Sequence, residues 1–162
     1  MKIISILLIA LLYILNCSSQ MQTVKAKYMT RKQQRRAEKT DSYYQIASGY
    51  YAQEKYDSVL VYGHKSLAQN ADNWELFLLL GKTCSHAGIY LDANSYLYKA
   101  LSLCKTDSED RAEIYYALGE NEDSQHNFNL AKQHYQMVMQ LAPKTQLTER
   151  ALQKIQLLSQ SD

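Results

Sequence analysis

Apolar residues return at steps of three and four along most of this chain, first at Leu76, Leu80 and Cys84, then at Ala93, Leu97, Ala100, Leu101 and Cys104. That spacing marks amphipathic helices, and no stretch alternates with the period of two that a strand requires. The pattern predicts paired helices over residues 41–53 and 57–69, 73–86 and 90–104, and 108–123 and 127–141. Pro143, the only proline, ends the sixth. Thr145 then caps a final segment over residues 146–159, with Leu147, Ala151, Ile155 and Leu158 on one face and Gln153, Lys154, Gln156 and Gln160 on the other. Thr106 and Glu109 form a capping box ahead of the fifth helix, and Gly88 marks the turn after His86.

The pattern also repeats. Residues 43–50 overlay residues 77–84 at an offset of 34, and Tyr115, Leu118, Gly119, Ala131, Tyr135 and Pro143 recur in register after four extra residues, 108–111. A period of this length signals units that cannot bury their apolar faces alone and stack to share one core. Gly81 with Ala93, and Gly119 with Ala131, would let two helix backbones approach closely. The units run over about 40–73, 74–107 and 112–145.

Phe77, Leu80, Gly81, Ala93, Leu97 and Ala100 in the middle unit, and the six residues named above in the third, resemble the tetratricopeptide repeat (TPR) family. The first unit shares Tyr43, Ile46, Ala47 and Tyr50 but departs in its second helix, with Val59, Gly63 and Ser66 where small, aromatic and small residues are expected. The resemblance implies an all-α solenoid of three helix pairs plus a capping helix, within a domain spanning residues 41–162. It also implies a non-enzymatic binding role, in which the first helix of each pair lines a concave groove. Carried over residue by residue, the partner-binding set is Tyr44, Tyr51, Leu78, Lys82, Glu113, Tyr116, Glu120 and Asp123, with Tyr44, Tyr51, Leu78 and Tyr116 as an apolar floor. Acids gather toward the third unit, and the basic and Asn residues with which some relatives clamp a terminal carboxylate are absent apart from Lys82. A protein partner bringing a basic peptide or helix is therefore expected.

The first residues form a different region. Lys2 precedes a run over residues 3–15 that is apolar except for Ser5, followed by Asn16, Cys17, Ser18 and Ser19. The run suits a signal-peptide core and is shorter than the roughly twenty residues a spanning helix needs. Ile14, Leu15, Asn16 and Cys17 resemble a bacterial lipobox, departing from it at Asn16 where Gly, Ala or Ser is usual. On this reading residues 1–16 are a signal peptide, Cys17 is lipidated, and the chain is an exported envelope protein held at a membrane. An ordinary secretory leader giving a soluble product, and an uncleaved anchor, are the alternatives.

Charge divides at the same place. Residues 1–40 hold eight basic residues and one acid, and the rest hold ten basic residues and fifteen acids, so a basic arm precedes an acidic domain within a formal net charge of +2. Residues 17–40 read as a basic linker, able to add electrostatic attraction to an anionic bilayer.

Other chemistry finds little support. The five glycines are isolated, so there is no phosphate loop, and neither a His-Glu-x-x-His nor a Cys-x-x-Cys pattern occurs. Cys84 and His86, two residues apart on a helix, point to different sides. The carboxylates Glu120, Glu122 and Asp123, near Asp110 and Glu113, read as a solvated acidic face. Cys84 and Cys104 fall at opposite ends of a helical hairpin, too far apart to bridge, and are expected as buried thiols. No cofactor, metal, nucleic acid or small-molecule substrate is implied. The leading function is a membrane-tethered adaptor, and the alternative is a structural accessory subunit of an envelope complex using its convex face.

Overall fold

Three turns of one geometry divide the helices into pairs. The computed structural model describes residues 42–105 and 108–160, and within them are seven helices and no strand: α1 (Ser42–Tyr51), α2 (Tyr56–Gln69), α3 (Trp74–His86), α4 (Tyr90–Leu103), α5 (Ser108–Ser124), α6 (Phe128–Leu141) and α7 (Gln146–Leu158). In each intra-pair turn one residue takes a left-handed conformation, Glu54 (φ 57°), Gly88 (φ 76°) and His126 (φ 61°). The next amide donates back to the preceding helix, from Lys55 to Tyr50 (3.1 Å), Ile89 to Cys84 (2.8 Å) and Asn127 to Glu122 (2.9 Å). This is the Schellman arrangement, which satisfies carbonyls the helix end leaves open. Short connections of this kind make neighbouring helices antiparallel.

Other ends are fixed by side chains. Asn73 Oδ1 accepts from the amides of Glu75 (3.0 Å) and Leu76 (3.2 Å) to start α3, and Thr145 Oγ1 accepts from Thr148 N (3.3 Å) to start α7. Thr106, half of the expected capping box, lies outside the described residues. The four-residue insertion adds a turn to the start of α5, and Arg111 within it donates to the carbonyls of Leu101 (3.4 Å) and Cys104 (3.1 Å), closing the end of α4.

Within the array, α1, α3, α5 and α7 touch one another in sequence, whereas α2, α4 and α6 touch these helices and not each other. Contact on one side and separation on the other bends the array, which makes the layer of α1, α3, α5 and α7 the concave side.

Packing follows small residues, with one rearrangement. A Cβ placed on Gly81 would lie 2.6 Å from the Leu97 side chain, and one on Gly119 would lie 2.5 Å from the Tyr135 ring, so in the second and third pairs a large residue of the outer helix fills a gap left on the inner one. The first pair inverts this. Ala47 and Gly63 are both small, and Leu80 from α3 fills the space, with its Cδ2 2.5 Å from where a Gly63 Cβ would sit. That replacement explains how α2 forms without the aromatic residue the repeat pattern expects. Cys84 and Cys104 are both free and buried.

Candidate binding face

The inner helices bring most of the expected partner-binding residues to one side. Tyr44 and Tyr51 on α1 are half-buried, and Tyr51 lies against a second aromatic pair: its ring is 6.1 Å from Tyr56 and 6.0 Å from His86, and Tyr56 and His86 stack at 5.4 Å with nearly parallel planes. Burial raises the Tyr44 hydroxyl pKa, with Glu75 and then Glu113 adding to the shift. Burial likewise pushes Tyr51 up to about 12, assisted by Tyr56, Glu120 and Glu113. Glu113 belongs to α5 and the tyrosines to α1, so its charge acts on them across α3.

Three of the expected residues are engaged within the fold. Lys82 Nζ pairs with Glu113 Oε1 at 2.8 Å, linking α3 to α5, and the Glu113 side chain remains 48% exposed. Asp123 Oδ2 accepts from Lys154 Nζ at 3.2 Å, tying α5 to α7. Exposed or partly exposed pairs of this kind contribute up to about 1 kcal/mol.

Two members of the expected apolar floor are buried, Leu78 in the core and Tyr116 beneath the Arg150 guanidinium of α7. Leu78 is 6% exposed and belongs to the core with Phe77, Leu97 and Ile114, while Tyr116 is 5% exposed and packs on Tyr135 at 5.5 Å. The cause is the position of α3 and α5, each of which packs against four other helices and is buried on nearly all sides. The solvated acidic face also needs correction. Glu120 and Asp123 are partly exposed, but Glu122 is 4% exposed and accepts hydrogen bonds from Asn94 Nδ2 (2.9 Å) and Asn127 Nδ2 (2.8 Å). Asn121 joins this network by donating to Asn94 Oδ1 (2.9 Å) and Tyr90 O (3.2 Å). Glu122 thus holds α4 to α5 and to the next turn.

At the far end of the inner face lies a cavity of about 430 Å3, open to solvent. Its walls come from Lys82, from Glu109, Asp110, Glu113, Tyr116 and Glu120 of α5, from Ala142 and Thr145 before α7, and from Gln146, Leu147 and Arg150 of α7. Four carboxylates therefore oppose two cations, and the cavity favours a positively charged guest. The Arg150 guanidinium lies over the Tyr116 ring, 4.7 Å from its centre. Burial and Glu120 raise the Tyr116 pKa, while Arg150 and Lys154 oppose the shift. Sequence reasoning assigned α7 only a capping role and missed this wall. Arg150 adjoins the apolar stripe of Leu147 and Ala151, which is the one sequence sign that it borders the packed side of α7.

Burial pushes the Cys84 thiol up to about 11, away from the thiolate a nucleophile needs. Among the described residues no group of three or more His, Cys, Asp or Glu side chains is placed to hold a metal, and no helix is long and apolar enough to cross a membrane.

No protein-family model and no curated protein matches the chain. Solved structures do, among them the first TPR domain of Spaghetti (RPAP3) bound to the HSP90 peptide SRMEEVD, with a TM-score of 0.63 and 20% identity over 72% of this chain and 87% of that one. The chain has the fold of an all-α solenoid of TPR-type helix pairs closed by a C-terminal helix.

Proposed function

We propose that this protein is a non-enzymatic interaction scaffold whose inner face holds a basic, extended or helical segment of another protein. The observation that carries this reading is the carboxylate-rich cavity on the inner layer of helices that also carries Tyr44 and Tyr51. Aromatic residues give a partner large contact area with polar tips, and the carboxylates supply orientation and faster encounter. The fold's peptide-bound neighbour supports a protein partner. Its peptide carries three acidic side chains, whereas the cavity here has an excess of acids, so the partner class differs in charge.

Selection from a displayed peptide library tests this. Binders should be enriched in Lys or Arg together with apolar residues, and the basic enrichment should vanish against Glu109→Gln/Glu120→Gln. Selection of acidic peptides, or basic enrichment indifferent to those substitutions, would overturn the reading.

The proposal includes a tether: residues 1–16 as signal peptide, residues 17–40 as linker, and lipidated Cys17 as membrane anchor in a bacterial envelope. These residues lie outside those the structure describes. Support comes from the apolar run ending at Cys17 and the basic stretch after it. Intact mass of the membrane fraction should show a diacylated Cys17 as the first residue, and Cys17→Ala should release or mislocalise the protein. An unmodified amino terminus beginning elsewhere would remove the tether.

The second reading, an accessory subunit docking by its outer layer, is favoured by apolar side chains exposed on the second helices: Val61 on α2, Leu91 (81% exposed) and Tyr98 on α4, and Leu130 on α6. Mutating these to Ser while preserving peptide binding separates the two faces.

A further inference from the structure

The cavity already contains a cation that belongs to the protein itself. Arg150 projects from α7 over the Tyr116 ring at 4.7 Å, and among the described residues no carboxylate pairs with it. The neighbouring cations differ: Lys82 is held by Glu113 at 2.8 Å and Lys154 by Asp123 at 3.2 Å. Arg150 is therefore the cation of this wall held by the Tyr116 side chain and by no carboxylate, a contact that is weak where solvent reaches it. It is also free to turn aside, because Arg150 is exposed while α7 stays anchored through buried Ala151 and Leu158 and the Thr145 cap.

We propose that Arg150 occupies the seat of a partner's cation, so that α7 competes with basic ligands for the Tyr116 face and sets how tightly the cavity binds them. This rests on reading the cavity as a cation site. A partner's guanidinium would stack on Tyr116 as Arg150 does now, in a cavity whose walls include Glu109 and Glu120. It would first have to displace Arg150. A neutral or acidic partner side chain has no such exchange to make and meets the carboxylates unfavourably, so the residue that weakens basic ligands does not admit acidic ones.

The test is fluorescence anisotropy of a labelled tetra-arginine peptide titrated with the full chain at low salt, comparing wild type, Arg150→Gln and Lys99→Gln. Lys99 is an exposed cation on the outer helix α4, so its removal matches the change in net charge without touching the cavity. Arg150→Gln should tighten binding roughly 3- to 30-fold, the span for a cation–aromatic contact between exposed and desolvated settings. Lys99→Gln should change it less than about twofold, as expected for a distant exposed charge. Equal gains in both variants would reduce the effect to net charge and overturn the proposal. Binding to wild type with no gain in Arg150→Gln would overturn the competition and leave the cation site standing, whereas no binding to any of the three would overturn both.

Discussion

Glu54, Gly88 and His126 hold the same left-handed position in three successive turns, yet only Gly88 adopts it without a steric cost. Glu54→Gly and His126→Gly should each stabilise the fold by roughly 0.5–1 kcal/mol, and Gly88→Ala should destabilise it by about 1 kcal/mol. Urea melts of the three variants check this, with opposite shifts in midpoint expected. Gly119 is the sharper case. An Ala there gains helix propensity of about 1 kcal/mol but sets its Cβ 2.5 Å from the fully buried Tyr135 ring, so Gly119→Ala should destabilise by about 1–3 kcal/mol. Gly63→Ala should cost less, because the obstructing atom is the end of the flexible Leu80 side chain. Only the glycine turn was legible in the sequence. Glu54 and His126 take the position because the backbone bonds on either side demand it, and no propensity of Glu or His announces that.

At the level of elements, helix existence and approximate ends were legible, since the three- and four-residue spacing and the Thr145 cap are local signals. Which side of α3 and α5 meets solvent was not. Both helices are enclosed by four others, and residues 76–81 of α3 are buried without interruption, so periodicity assigns no outward face. Leu78 and Tyr116 were placed on the groove by carry-over from the TPR resemblance, which periodicity could not correct, and Glu122 was taken for a solvated acid because its Asn94 and Asn127 partners lie on another helix and in the following turn. His134 on α6 provides an element-scale test. It packs beside Tyr115 at 6.0 Å, and burial lowers its pKa from 6.5 despite the opposing pull of Glu122. Below pH 6.5 the unfolded chain then binds more protons than the folded one, so His134 contributes stability that is present above pH 6.5 and lost as the pH falls toward its lowered value. Melts from pH 7.5 to 5 should show a smaller acid loss in His134→Gln than in wild type. An unchanged slope would exclude this histidine as a source.

For the whole molecule, helix pairs that touch only the adjacent pairs predict that damage stays local. Hydrogen exchange in Gly119→Ala should accelerate in α5, α6 and α7 well before α1 and α2, and uniform acceleration would contradict the one-dimensional arrangement. The expectation that the first helix of each pair forms the inner face came from the resemblance to the TPR family, applied through the repeat register. The cavity was not legible, because it depends on where α7 comes to rest against α5, a relation that no repeat spacing records. The account's central claim is that the inner face takes a basic segment of a partner, and amide and side-chain chemical-shift mapping tests it most directly. With a peptide from the selection titrated into labelled protein, shifts should concentrate on Tyr44, Tyr51, Lys82, Glu113, Glu120 and Arg150. Shifts confined to the exposed apolar residues of α2, α4 and α6, with the inner face silent, would contradict the account.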